Sequence, residues 1–189
     1  FSASFNLISS HDIMRAITAL AGPPDPGSRE VQAHLFLTQD QRTHGEALLR
    51  LAVLFQMVYP GCPVIYYGDE TGMEGYRDPF NRRTFPWGRE NTGLQAWFGK
   101  LGRLRRDWPV LRNGTTRIFA HQDCVVIERT LDPQPAQALA DQSGPGHVLA
   151  AINRSYEPRT MTLNDRTLHL QPTGWLFEAD GKPMDLNEQ

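Results

Sequence analysis

Two short runs gather the side chains that could meet a ligand: His11-Asp12, and the stretch from Asp69-Glu70 through Asp78 to Arg82. Each combines a carboxylate with an imidazole or a guanidinium, groups that hold hydroxyl-rich or charged ligands and can handle protons. Each also follows a short apolar run, Phe5-Asn6-Leu7-Ile8 and Pro63-Val64-Ile65-Tyr66-Tyr67. If those runs are parallel strands, both clusters stand at carboxyl ends, where α/β folds bind ligands. Ordinary readings cover the same residues. Asp12 or Ser10 could cap a helix beginning at Ile13. His11 could be a polar loop residue, and Asp78 and Arg82, four apart, could be a surface ion pair worth under ~1 kcal/mol. Tyr66, Tyr67, Trp87 and Trp97 are individually better suited to packing than to a sugar platform. Spacing alone leaves a generic α/β domain with a β tail.

The elements that would position these residues alternate over the first 110 or so positions in the α/β manner. A short helix is expected over Ile13–Leu20, stopped by Gly22-Pro23-Pro24. A long one is expected over Glu46–Tyr59, with Thr43 and Glu46 at capping-box spacing and Leu48, Leu51, Phe55 and Val58 on one face. Pro63 to Tyr67 is apolar at successive positions, as in a parallel strand covered on both faces. A loop rich in Gly, Asp, Asn and Arg spans about Thr71–Thr92. The next helix covers about Leu94–Asp107, its last-turn arginines 103, 105 and 106 facing the negative end of the helix dipole, and Pro109 stops it. After Gly114 only strand patterns remain: Thr116–Phe119, Cys124–Thr130, His147–Asn153, Thr160–Leu163, Leu168–Leu170 and Trp175–Glu178. They imply an antiparallel sandwich, with a long loop over Asp132–Gly146.

The bulk numbers exclude more than they assign. The chain has 189 residues, 40% hydrophobic and 21% charged, with 19 Lys and Arg against 21 Asp and Glu, a formal charge of −2. That balance gives no footprint for nucleic acid or an anionic membrane, and no apolar run reaches the roughly 20 residues of a membrane-spanning helix. Cys62 and Cys124 sit in apolar stretches and read as buried thiols, not as a disulfide framework. No signal peptide opens the chain, its first methionine is Met14, and Phe5–Ile8 already reads as a strand, as if the sequence starts inside a longer one.

Phe5-Asn6-Leu7-Ile8-Ser9-Ser10-His11-Asp12 resembles the last of the short catalytic motifs of the α-amylase family of glycoside hydrolases, which closes barrel strand seven. About fifty residues on, Pro60-Gly61-Cys62-Pro63-Val64-Ile65-Tyr66-Tyr67-Gly68-Asp69-Glu70-Thr71-Gly72-Met73 is similar to the family's strand-eight segment. Asp78-Pro79-Phe80-Asn81-Arg82-Arg83-Thr84-Phe85-Pro86-Trp87 continues like the neopullulanase, cyclomaltodextrinase and maltogenic amylase branch. Leu101 to Gly114 resembles the last barrel helix and its exit into a β-sandwich C domain. The resemblance implies α/β plus all-β: the last two βα units of a (β/α)8 TIM barrel over residues 1–111, then an antiparallel β-sandwich over 112–189.

It also implies roles. Retaining hydrolysis of an α-glucosidic bond uses a carboxylate nucleophile and a carboxylic acid about 5 Å apart, through an oxocarbenium-like transition state. Asp12 would be the third carboxylate, a transition-state stabiliser that bonds ring hydroxyls and helps keep the acid protonated. His11 would donate to a hydroxyl of the same sugar, and Asp78 and Arg82 would bind sugars on the non-reducing side of the cut. Nucleophile and acid belong to earlier barrel strands, and eight βα units need about 250 residues, so this chain alone is expected to be inactive. Asp69 and Glu70 match a segment where a structural role is expected. No cofactor is implied, with calcium left open for a parent enzyme, whose partner would be an α-glucan oligosaccharide. Unpaired barrel edges imply self-association of the isolated chain. Localisation stays open, the branch leaning to the cytoplasm. The rival reading is a non-catalytic carbohydrate-binding or scaffold module, which would have no use for a His-Asp strand end or a second buried parallel strand.

Overall fold

The computed structural model describes residues 4–132 and 144–187. Its first half places two parallel strands, β1 (Phe5–Leu7) and β2 (Cys62–Val64), side by side with Asn6 opposite Pro63. Between them run α1 (Ala16–Ala21), α2 (Arg29–His34) and α3 (Gln39–Val58). After β2 come a 3-10 turn at Asp69–Thr71, a second at Phe80–Arg82, α4 (Thr92–Asp107) and α5 (Pro109–Asn113). The strand pair is the only parallel sheet among the described residues, so no barrel closes. Ile65 and Tyr67, 41% exposed each, lie along a run whose composition anticipated cover on both faces. No helix among the described residues is long and apolar enough to cross a membrane.

The start of α3 differs from its sequence expectation because another residue caps it. Thr38, not Thr43, opens α3: its hydroxyl accepts the Gln41 amide, and the Gln41 side chain accepts the Thr38 amide. This is a capping box with Gln at its third position. Thr43 lies inside the helix and donates back to the Gln39 carbonyl, so the helix gains two turns over the expected span. Buried Gln56 on α3 then donates to the carbonyls of Asn6 (2.6 Å) and Val64 (2.9 Å), fixing both parallel strands to one helix. Arg105 is turned inward, away from its expected place on the helix end. It donates to Met57 O at 2.9 Å, Tyr59 O at 3.0 Å and Gly61 O, closing the end of α3.

The second half is a five-stranded antiparallel sheet, in the order β3 (Thr115–His121), β4 (Cys124–Thr130), β5 (His147–Asn153), β8 (Trp175–Ala179), β9 (Lys182–Pro183). A hairpin of β6 (Arg159–Leu163) and β7 (Arg166–Leu170) covers one face. Strand alternation divides the sheet's side chains between two cores. Val126, Leu149 and Ala151 meet Met161, Leu163, Leu168 and Leu170 of the hairpin. Ile127, Val148, Ala150, Ile152 and Phe177 on the opposite face join Leu49, Val53 and Met57 of α3, Trp97 and Leu101 of α4, and Val110 of α5. The sandwich therefore has a core of its own plus a face that only the helices cover. Arg129 crosses this seam, donating to Val58 O at 2.7 Å and Gly114 O at 2.9 Å. Cys124 is buried as expected, but Cys62 is exposed, because β2 has one neighbouring strand where a covered sheet would supply two. The expected loop over Asp132–Gly146 falls mostly outside the described residues.

A shared core predicts shared unfolding. Phe177→Ala should cost about 3–5 kcal/mol and lower the midpoints of helical and near-ultraviolet tryptophan circular dichroism together. Two separated transitions, with the helical one unmoved, would show that the halves are independent.

Candidate active site

Buried polar groups beyond the carboxyl ends of β1 and β2 gather around Arg15, whose side chain is completely buried. The sequence reading did not single out this residue, a lone charge between the apolar positions of α1 and its approach. Nε donates to Asn81 O at 2.7 Å, and Nη1 donates to Tyr67 O and reaches Asp69 Oδ1 at 3.4 Å. The guanidinium also lies over the rings of Tyr66 and Tyr67, 4.2 and 4.6 Å from their centroids. Ser9, at the end of β1, donates to the other oxygen of Asp69. One cation thus joins the ends of both strands and the turn at Phe80–Arg82. A buried charge persists only when it is paired and hydrogen-bonded in this way. Tyr66 and Tyr67 belong to this packing; Trp97 is buried elsewhere, against Trp175, and Trp87 remains 80% exposed.

Glycines let the chain come this close. Gly68 takes φ 88°, and a Cβ there would meet Met73 Sδ at 2.1 Å. A Cβ on Gly75 would lie 2.1 Å from Phe80 O, so only glycine allows the two segments to touch. Gly75 O accepts the Arg15 amide at 2.9 Å, and its own N–H donates to Thr18 Oγ1 at 2.9 Å.

On this base stand the four residues singled out from sequence, and the fold brings them together. His11 Nε2 lies 3.3 Å from Asp12 Oδ1, with both side chains exposed. Asp78 Oδ1 pairs with Arg82 Nε at 3.0 Å, and the same Nε donates to His11 O at 3.2 Å. Asp12 caps no helix: α1 begins at Ala16, after Arg15, and the Asp12 amide itself donates to Ser10 Oγ at 3.1 Å. The capping role considered from spacing therefore has no counterpart here. Asp69 is 1% exposed and enclosed by Ser9 and Arg15, while Glu70 accepts the Gly68 amide at 2.7 Å. Neither presents a free carboxylate. Among the described residues, no group of three or more His, Cys, Asp or Glu side chains gathers in a way that could hold a metal ion. Sequence reasoning missed Ser9, Arg15 and Asn81. Ser9 and Asn81 lie inside runs that were quoted whole, without a pattern to set them apart.

No protein-family model matches the chain. It is 39% identical over 165 residues to neopullulanase 2 of Thermoactinomyces vulgaris, covering 84% of this chain and 22% of that protein. It is 34% identical over 166 residues to an amylopullulanase of Thermoanaerobacterium saccharolyticum, covering 87% of this chain and 12% of that one. Among solved structures, a cyclomaltodextrinase superposes with TM-score 0.61 at 29% identity, over 87% of this chain and 23% of its own. The chain thus spans between a tenth and a quarter of the proteins it matches here.

Burial pushes the Asp69 carboxyl up to about 6, outweighing the hydrogen bond from Ser9 and the charge of Arg15, which both lower it. Between the ordinary value of 3.8 and about 6, the folded chain keeps a proton that the unfolded chain has released. Stability should therefore fall as pH rises through this window, by on the order of 3 kcal/mol. Asp69→Asn should flatten that fall, as thermal midpoints between pH 4 and 6.5 would register. Parallel pH profiles for the two proteins would refute it.

Proposed function

We propose, starting from the membership of this chain in the α-amylase family of glycoside hydrolases, that it carries the sugar-binding and charge-stabilising part of a retaining α-glucan hydrolase. Its fold is α/β plus all-β, two βα units from the C-terminal part of a (β/α)8 barrel followed by an antiparallel β-sandwich. We draw the division between them at 111 and 112. The observation that supports the functional reading best is the single exposed cluster of His11, Asp12, Asp78 and Arg82 at the ends of two parallel strands. A module that only bound sugar would gain nothing from a buried arginine assembly holding a strand-end His-Asp pair.

Each residue has a task on this reading. Asp12 accepts hydrogen bonds from ring hydroxyls of the sugar being cleaved, and its charge offsets the positive charge that develops there. The same charge raises the proton affinity of a neighbouring carboxylic acid. His11 donates to a hydroxyl of that sugar. Asp78 and Arg82 form an acceptor and donor pair for sugars on the non-reducing side. Nucleophile and proton donor are supplied by other barrel strands, so this chain hydrolyses nothing by itself. With its strand edges open, it associates with itself or with the segments that complete the barrel.

Two outcomes follow. The isolated chain, incubated with maltoheptaose, pullulan and cyclodextrin, should release no reducing sugar, and turnover at enzyme-like rates in a clean preparation would defeat the proposal. In a full-length enzyme carrying this segment, Asp12→Asn should lower kcat by about 100-fold or more with the fold retained. His11→Ala, which removes one hydrogen bond, should be milder. Parental kcat in Asp12→Asn would mean that the carboxylate has no part in the reaction.

A further inference from the structure

The residues on either side of Asp12 lie in a turn, outside any helix or sheet ladder, so their carbonyls need partners from elsewhere. One side chain supplies both. Asn81 is completely buried, and its Nδ2 donates to His11 O at 2.9 Å and to Ile13 O at 2.8 Å. Its own main-chain carbonyl accepts Arg15 Nε at 2.7 Å. The side chain of Asp12, by contrast, is 72% exposed and pairs with the likewise exposed His11 next to it. Its direction is therefore set by its backbone, and that backbone is held by Asn81.

We propose that Asn81 is a positioning residue that fixes the main chain on both sides of Asp12 and so aims its carboxylate at the sugar. The inference rests on the reading of Asp12 given above. It has a second consequence, because Asn81 sits in the 3-10 turn between Asp78 and Arg82. The same amide that fixes Asp12 therefore sets the distance from Asp12 to the pair that holds the next sugars. A carboxylate that stabilises a transition state must be held within about 0.5 Å of its working position, and a displacement near 1 Å can cost about 100-fold in rate.

The test uses a full-length enzyme carrying this segment, with maltoheptaose and 4-nitrophenyl α-maltoside as substrates, at a temperature where each variant is folded by circular dichroism. Asn81→Ala should lower kcat by about 10- to 100-fold while KM stays within about 3-fold. Asn81→Ser, which keeps one donor, should fall between parent and alanine, and it carries the comparison if alanine does not fold. The deciding readout is the double variant. In an Asp12→Asn background, Asn81→Ala should reduce kcat by less than about 2-fold, because the group it aims is already gone. Equal losses in both backgrounds would mean that Asn81 is merely structural and overturn the proposal, as would an unchanged kcat in Asn81→Ala alone. Failure of the Asp12 reading is distinguishable, since Asp12→Asn would then keep parental kcat with Asn81 untouched.

Discussion

A guanidinium removed from water is the condition on which this site is built. Arg15 has lost its hydration, and the carbonyls of Tyr67 and Asn81, the carboxylate of Asp69 and two aromatic faces replace it. These partners come from two separate stretches of chain, so pairing one cation brings three segments, its own included, into contact. Removing one member of a buried ion pair typically costs 3–5 kcal/mol, because the other member is left charged and unpaired. The rigidity of the surface above follows from that penalty. Arg82 and Asp78 are half exposed, and their pair contributes little to stability. They keep their places because the turn beneath them is tied to Arg15 through Asn81.

The same economy of cross-links governs the junction between the halves. Apolar side chains of β4 and β5 point alternately to the hairpin and to the helices, so the sheet cannot complete its burial without α3, α4 and α5. Arg129 and Arg105 act where Arg15 acts at the site, as buried donors that satisfy helix-end and turn carbonyls. Burial lowers the proton affinity of both, Arg129 to about 10, and each stays cationic at neutral pH. Three inward-facing arginines thus gather loose ends of backbone, one at the site and two around the end of α3.

This explains which parts could be seen in the sequence. Strands β4 and β5 were placed to the residue, because each is built on an unbroken apolar run, Cys124–Ile127 and Val148–Ile152, written along one continuous stretch. The four exposed candidate residues were singled out through the motifs around them, and the fold sets them close together. The capping box of α3 was misplaced because Thr38-Gln41 and Thr43-Glu46 have the same spacing, and only the course of the chain before the helix separates them. Arg15 and Asn81 were invisible for a different reason. Their importance lies in contacts with residues more than 50 positions away, and no local pattern records a partner at that distance. An arginine near the start of a helix reads as solvated surface until the fold shows what surrounds it.

Exposure bears equally on what the chain can do alone. Asp12 and His11 stand in water, where two unit charges 4 Å apart interact by only about 1 kcal/mol, against roughly 4 kcal/mol at a partly enclosed protein surface. A carboxylate meant to stabilise an oxocarbenium-like sugar gains its strength from walls that exclude solvent, as well as from aim. The described residues supply the aim, through Asn81, and one wall, through the turn bearing Asp78 and Arg82. On the proposed reading, the remaining strands bring the nucleophile and the acid and also lower the local dielectric around Asp12. On that reading, position and charge are held ready here and take on catalytic value when the site is enclosed.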